Sequence, residues 1–118
     1  MGHRDVARTT PWGRWQVLVR GDGFQVKRIE VASGRRFSLQ YHRRRSEHWV
    51  VVAGIGRVTL GRRTLRAASG RAFFIPMRAH HRLHNTGRTP LVIIEVQRGA
   101  YLGEDDIVRL ADDFGRSV

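Results

Sequence analysis

Residues 34–54 read GRRFSLQYHRRRSEHWVVVAG, and residues 70–85 read GRAFFIPMRAHHRLHN. The first stretch sets a glutamine, a histidine and a glutamate between two glycines, and the second sets a histidine downstream of a proline. Together they supply four side chains with nitrogen or oxygen ligand atoms, namely Gln40, His42, Glu47 and His81. Such a mixed set suits zinc, iron, manganese, nickel or cobalt. The two stretches therefore predict a site for a divalent metal.

Short runs rich in β-branched and aromatic residues surround these stretches and alternate with glycine turns such as Gly21-Asp22-Gly23. Runs at this even spacing, each closed by a turn signal, predict an all-β sandwich or barrel. The candidate strands are Trp15–Val19, Phe24–Val31, Arg36–His42, His48–Val52, Arg57–Leu60, Thr64–Ala67, Ala72–Ile75, His80–His84 and Pro90–Val96.

The C-terminal segment has a different pattern, which predicts a short helix from Glu104 to Phe114. Its apolar residues Ile107, Leu110 and Ala111 recur at helical spacing. The segment also begins with three acidic residues, which suit the positive end of a helix dipole.

Strand alternation predicts that the candidate ligands converge. Successive side chains of a strand point to opposite faces, so Gln40 and His42 share a face. Glu47 opens the next strand and can join them inside the barrel, with Trp49 as a wall.

Composition narrows the class of protein further. A length of 118 residues fits one hydrophobic core, so we assign residues 1–118 to a single domain. The absence of cysteine excludes disulfides, iron–sulfur clusters and thiolate zinc sites. No apolar run has the length of a signal peptide or a membrane span, so we expect a cytoplasmic protein that makes no membrane contact.

A net charge of +12 is found in nucleic-acid-binding proteins, but it is equally what a solvated basic surface gives. Of the 22 lysines and arginines, all but Lys27 are arginines, and they are scattered along the chain. No nucleic-acid-binding motif accompanies them, so we expect no nucleic-acid partner. A small phosphorylated molecule is the alternative anion.

The spacing of the two stretches resembles the paired motifs of cupins, small β-barrels with a metal in the mouth. Cupins usually have histidine at the position of Gln40. A glutamine there is similar to the mannose-6-phosphate isomerases, which hold zinc with a Gln, two His and a Glu.

A longer match, from about residue 10 to residue 116, resembles the C-terminal cupin domain of type II phosphomannose isomerases, the bifunctional mannose-1-phosphate guanylyltransferase/mannose-6-phosphate isomerases. Because the matched segments belong to the cupin domain alone, guanylyl transfer is not expected of them. The segments are Pro11-Trp12-Gly13, Val26-Lys27-Arg28-Ile29, Ser38-Leu39-Gln40, Glu47-His48-Trp49-Val50-Val51-Val52, His81-Arg82-Leu83 and Tyr101-Leu102-Gly103-Glu104-Asp105-Asp106-Ile107-Val108-Arg109.

The resemblance implies a metal-dependent isomerase that interconverts mannose 6-phosphate and fructose 6-phosphate, with zinc on the four ligands and, by analogy with small cupins, a homodimer. Lys27 is the first candidate acid or base, because a desolvated lysine can lose its proton whereas arginine stays charged. His84 is the second candidate. Arg45, Arg82 and Arg78 are candidate phosphate-binding residues.

The chain departs from that family beside the expected ligands. The family has two further histidines where this chain has Arg43 and Arg44, a glycine at Arg78, a proline at His80 and a glutamate at His84. Two alternatives therefore stand beside the isomerase. One is a metal-containing cupin that binds a sugar phosphate or sugar nucleotide without turnover, and the other is a cupin oxygenase.

Overall fold

Eleven β-strands in two antiparallel sheets make up the regular structure of the chain in a computed structural model that describes residues 7–116. They are β1 (Arg8–Thr10), β2 (Gly13–Gly21), β3 (Phe24–Val31), β4 (Leu39–Tyr41), β5 (Arg45–Ala53), β6 (Ile55–Leu60), β7 (Arg63–Ala68), β8 (Ala72–Ile75), β9 (His81–Asn85), β10 (Leu91–Gly99) and β11 (Val108–Ala111).

The six-stranded sheet has the order β1-β2-β3-β10-β5-β8, and the five-stranded sheet has the order β11-β4-β9-β6-β7. The two sheets stay separate, so the expected barrel is confirmed as an all-β, two-sheet architecture but not as a closed one. Between the sheets, Phe37 packs edge-on against Trp12 and Trp49, with ring centroids 5.4 and 6.0 Å apart. These three side chains anchor the hydrophobic core.

Three neighbouring strands of the larger sheet change from apolar to polar along their inward faces. On β10, Ile93 is followed two residues later by Glu95, and both are buried. The β3 face changes between Ile29 and Lys27, and the β5 face changes between Trp49 and Glu47. The strand register aligns these changes at nearly the same level. One end of the space between the sheets is therefore a packed core, and the other end is lined by buried polar groups.

The expected C-terminal helix is wrong, because residues 108–111 form β11 instead. Val108 pairs with Tyr41 and Ala111 with Leu39, which satisfies backbone groups of β4 that would otherwise form a sheet edge. The acidic side chain of Asp106 accepts hydrogen bonds from the backbone N–H groups of the β4–β5 loop. Long-range strand pairing thus prevails over the local helical pattern.

The expected strands were recovered with shifted ends. The strand expected to start at Arg36 starts at Leu39, and β1 was missed. Arg36 forms only an isolated bridge with His84. Within residues 7–116 there is no helix that could span a membrane.

Gly54 alone connects β5 to β6, so its substitution can test how tight this connection is. Its φ is +88°, and an added Cβ would lie 2.6 Å from the carbonyl oxygen of Pro90. We expect Gly54→Ala to lower the free energy of unfolding by about 2–4 kcal/mol, from backbone strain and the clash together.

Gly61→Ala is the matched control, because Gly61 also has a positive φ, +61°, but no atom within 4 Å of its added Cβ. It should cost only about 1 kcal/mol. Urea denaturation of both variants measures the difference, and equal losses would contradict the assigned close approach at Pro90.

Candidate metal centre and pocket

A pocket of about 90 Å³ lies at the polar end of the space between the sheets. Both sheets contribute to its walls, with Trp15 and Ile29 on one side and Gln40 on the other. The charged and imidazole groups that line it are Lys27, His42, Arg45, Glu47, Glu95, Glu104, Arg109 and Arg116.

His81 has a ring nitrogen suited to a metal. Its Nδ1 lies 2.9 Å from the carbonyl oxygen of Ala79, to which it donates a hydrogen bond. The lone pair of a neutral imidazole then resides on Nε2. That atom is buried and has no hydrogen-bond partner within the described part of the chain. Burial lowers the pKa of His81, which keeps the ring neutral.

His42 has the same tautomer for the same kind of reason. Its Nδ1 lies 2.5 Å from the carbonyl oxygen of Asp106, so the ring donates there and leaves Nε2 as the acceptor. Burial lowers the pKa of His42 to about 4. The 3.3 Å contact between His42 Nε2 and Glu47 Oε2 therefore joins a neutral ring to a carboxylate at neutral pH.

Glu47 is fully buried and yet ionised. Its Oε1 accepts a hydrogen bond from Trp49 Nε1 at 2.9 Å, and its Oε2 accepts one from Arg45 Nε at 2.9 Å. Burial acts to raise the pKa of Glu47, but the positive charge of Arg45 opposes it, and in acid the two imidazoles add to this effect once they are protonated, so the pKa lies well below its usual range.

Gln40 lies on the inward face of β4 and pairs in register with His81 across the β4–β9 ladder. Its Oε1 accepts a hydrogen bond of 2.8 Å from Ser38 Oγ. A carbonyl oxygen has two acceptor lone pairs, so a second one is left for the pocket.

These residues fit a divalent cation. Ligand atoms of His42, Glu47 and His81 all lie within 4.8 Å of one another. Both histidines donate Nδ1–H to a backbone carbonyl, the arrangement that orients metal-binding imidazoles in proteins. The unpartnered Nε2 of His81 is the strongest sign, because a buried acceptor without a partner is rare.

Sequence reasoning missed a second buried carboxyl group, Glu95. Burial, followed by repulsion from Glu47, raises the pKa of Glu95 well above its ordinary value, so it is protonated and hydrogen-bonds to Glu47. Its Oε1 accepts from Gln97 Nε2 at 2.6 Å, and Gln97 accepts from Gln25 Nε2 at 2.5 Å. Strand alternation from Ile93 could have found it, but β10 is apolar on both faces at that point.

Lys27 lies where the sequence predicts, buried and lining the pocket. Its ammonium group pairs with Glu104 and lies 4.0 Å from the centroid of the Trp15 ring. Glu104 was not singled out from the sequence, because the helix expected there gave it a capping role.

Three other candidate residues lie away from the pocket. His84 and Arg82 share the outward face of β9, opposite to His81. Arg82 donates hydrogen bonds to the carbonyl oxygens of Phe37 and Ala111, each at 2.9 Å. Arg78 is exposed, and its φ of 67° lies in the left-handed region, where the similar family has glycine.

The pocket takes other arginines instead. Arg45 is buried beside Glu47 and lines the pocket. Arg109 and Arg116 line it from the C-terminal segment, and Arg109 pairs in register with Gln40. In the expected helix Arg109 would have had no fixed relation to β4, and Arg116 lies beyond that helix, so neither was singled out from the sequence.

The lowered pKa of His42 should make the free energy of unfolding depend on pH in acid. An unfolded histidine titrates near 6.5, whereas folded His42 titrates near 4. Between these values the unfolded state takes up a proton that the folded state does not. The free energy of unfolding should therefore fall by about 3 kcal/mol as the pH drops from 6.5 to 4, with no contribution from His42 above that window.

Denaturant unfolding across this pH range, with a chelator present, measures the effect. Because other groups also titrate, the readout is the comparison with His42→Gln, whose stability should fall less steeply. Parallel curves for the two proteins would show that His42 is not a buried neutral group.

Comparison with known proteins agrees with this geometry. The family model described as mannose-6-phosphate isomerase C-terminal matches residues 1–112. A Rhodospirillum rubrum cupin-2 domain superposes with a TM-score of 0.70 at 19% identity, covering 87% of this chain and 78% of that one, and this likeness shows a cupin fold.

Two relatives share much more sequence. The chain is 47% identical over 114 residues to a Klebsiella pneumoniae protein named mannose-1-phosphate guanylyltransferase, covering 97% of this chain and 24% of that one. It is 49% identical over 116 residues to the Pseudomonas aeruginosa alginate biosynthesis protein AlgA, covering 98% and 24%. The chain thus spans about a quarter of the length of these relatives. With nearly its whole length matched, the chain belongs to the mannose-6-phosphate isomerase C-terminal family and has a cupin fold.

Proposed function

We propose that this chain is a metal-dependent isomerase that interconverts mannose 6-phosphate and fructose 6-phosphate in the cytoplasm. The observation that carries the proposal is the convergence of two neutral imidazoles and an ionised carboxylate, of which His42 and Glu47 line a pocket that also has cationic side chains and His81 lies behind them. Membership of the family described as mannose-6-phosphate isomerase C-terminal supports the proposal.

Gln40, His42, Glu47 and His81 would hold the metal, with zinc the first choice and iron, manganese, nickel or cobalt the others. When bound, the metal would supply a Lewis acid that polarises the sugar carbonyl. The protein's own contribution is a fixed ligand set, because hydrogen bonds to Ala79 and Asp106 hold both imidazoles in the required tautomer.

The reaction moves a proton between C1 and C2 of the sugar through a cis-enediol, so a group in the pocket must take and return a proton. Lys27 is our candidate, because its buried side chain lines the pocket. Glu104, which pairs with the Lys27 ammonium group, would take the proton that Lys27 must release before its amine accepts one from the sugar. Protonated Glu95 is a nearby donor. His84 points away from the pocket and would need a different arrangement of β9 to serve.

The phosphate needs cationic donors, and arginine offers a planar fork that matches it. Because Arg109 and Arg116 line the pocket, we assign to them the phosphate-binding role that was expected of Arg82 and Arg78. Arg116 is already held by Asp112, with Nε and Oδ2 2.7 Å apart, which fixes its direction.

A second candidate function is binding of a sugar phosphate or sugar nucleotide without turnover. The outward position of His84, where the similar family has glutamate, favours it. In either case we propose a homodimer, which light scattering after gel filtration would measure.

His81 offers a direct test of the metal site. His81→Ala should lower zinc affinity by about tenfold or more, because a neutral ligand nitrogen is lost. His80→Ala removes an exposed imidazole one residue away and should bind zinc as the wild type does. Competition with a colorimetric chelator measures both affinities, and equal zinc affinity in the two variants would remove His81 from the site.

Lys27→Arg tests the acid–base role. Arginine keeps the positive charge beside Glu104 but does not give up its proton, so kcat should fall by about 10²–10⁴ while metal content stays unchanged. Arg28→Lys, the reverse exchange at the adjacent, partly exposed position, should keep wild-type turnover.

A coupled assay from mannose 6-phosphate to fructose 6-phosphate on metal-loaded protein gives kcat for both variants. Wild-type turnover in Lys27→Arg would contradict the role of Lys27. Wild-type protein that holds metal but shows no turnover would leave the binding function.

A further inference from the structure

Arg45 places a positive charge in direct contact with two residues of the candidate metal site. Its Nε donates to Glu47 Oε2 at 2.9 Å, and its Nη2 lies 3.2 Å from His42 Nε2, to which it donates. The side chain is only 5% exposed. The guanidinium group therefore bonds to two of the atoms that a metal would use.

The two contacts differ in what a metal would do to them. A carboxylate has several acceptor lone pairs, so Glu47 can keep Arg45 Nε and still bind a cation. A neutral imidazole has a single lone pair, on Nε2 when Nδ1 carries the proton. His42 can thus serve Arg45 or a metal, but not both at once.

The remaining nitrogen of the guanidinium group is already unsatisfied. Arg45 Nη1 is buried without a hydrogen-bond partner among residues 7–116, and the side chain lines the pocket. Loss of the bond to His42 would leave Nη2 unsatisfied as well. Two buried, charged donors without acceptors are costly, and an anion or oxygen-rich ligand in the pocket would satisfy them.

We propose that Arg45 couples the two occupants of the pocket: it is bonded to the metal ligands when metal is absent, and metal binding frees its Nη groups to bind the oxygen atoms of a phosphorylated sugar. This inference rests on the proposed metal site, and it holds whether or not the sugar phosphate is turned over.

Arg45 should have opposite effects on metal binding in the absence and in the presence of an anion in the pocket. Arg45 opposes metal binding when the pocket holds no anion, because its guanidinium group must leave His42 and stay beside a second cation. It favours metal binding when the anion is present. Because coupling between two binding sites is reciprocal, metal must strengthen sugar-phosphate binding by the same factor. A residue that merely orients Glu47 would favour metal binding in both conditions.

Cobalt(II) absorption titrations provide the test, with an open-chain hexitol 6-phosphate as the anionic probe. This probe has no carbonyl group and cannot isomerise. In wild-type protein we expect cobalt to bind at least tenfold tighter with the probe than without it, within the usual range of coupling. The unphosphorylated hexitol at equal concentration should have no such effect.

Arg45→Met is the diagnostic variant. Without the probe it should bind cobalt about three- to tenfold tighter than wild type, and the probe should change that affinity less than about threefold. Arg66→Met removes an equal charge from an exposed site on β7 and should behave as wild type in both respects. Weaker cobalt binding by Arg45→Met, or unchanged coupling, would overturn the proposal.

A second measurement needs no variant. Calorimetry of the hexitol 6-phosphate with metal-free and cobalt-loaded wild-type protein should give the same coupling factor. Equal affinity in the two states overturns the proposal even if Arg45→Met does not fold. Failure of the isomerase assay alongside preserved coupling would instead reject turnover and leave the inference standing.

Discussion

An ionised carboxylate with no access to water is the constraint around which this structure is arranged. Glu47 is stable in that state because Trp49 and Arg45 each donate to one of its oxygens. Removing either donor would leave a buried charge short of a partner, which is among the most damaging changes in a protein interior. Trp49 meets this need from the core side and Arg45 from the pocket side, so Glu47 marks the boundary between them.

The same boundary runs across three strands. β3, β10 and β5 each present apolar side chains at one end of their inward faces and polar ones at the other. A change on one strand alone would bury polar groups against hydrocarbon, at considerable cost. Aligned by register, the polar groups instead satisfy one another, as Gln25, Gln97 and Glu95 do in a continuous hydrogen-bonded row.

Much of this could be predicted from the sequence because it depends on short-range rules. Alternation along a strand was enough to place Gln40, His42 and Glu47 inside, and glycine turns delimited most strands. The failures share another cause. The C-terminal segment has a helical pattern, and only pairing with β4, some seventy residues earlier, turns it into a strand.

The wrongly expected C-terminal helix also left part of the candidate site unpredicted. Arg109 faces the pocket because it lies beside Gln40 in the β4–β11 ladder, a relation that no local pattern contains. Glu95 was missed for a complementary reason, since its strand is apolar on both faces and alternation gives no direction. Arg82 and His84 illustrate the converse, because a matching residue type in the right stretch still has to point the right way.

Asp106 links two properties that evolution would otherwise vary separately. Its backbone carbonyl fixes the ring of His42, while its carboxylate holds the N–H groups of Arg43 and Arg44 in the loop that leads to β5. A lineage that remodels this loop would disturb a candidate metal ligand, His42, in the same step. The shape of the pocket is therefore easier to vary through the walls formed by β2 and the C-terminal residues than through the β4–β5 loop.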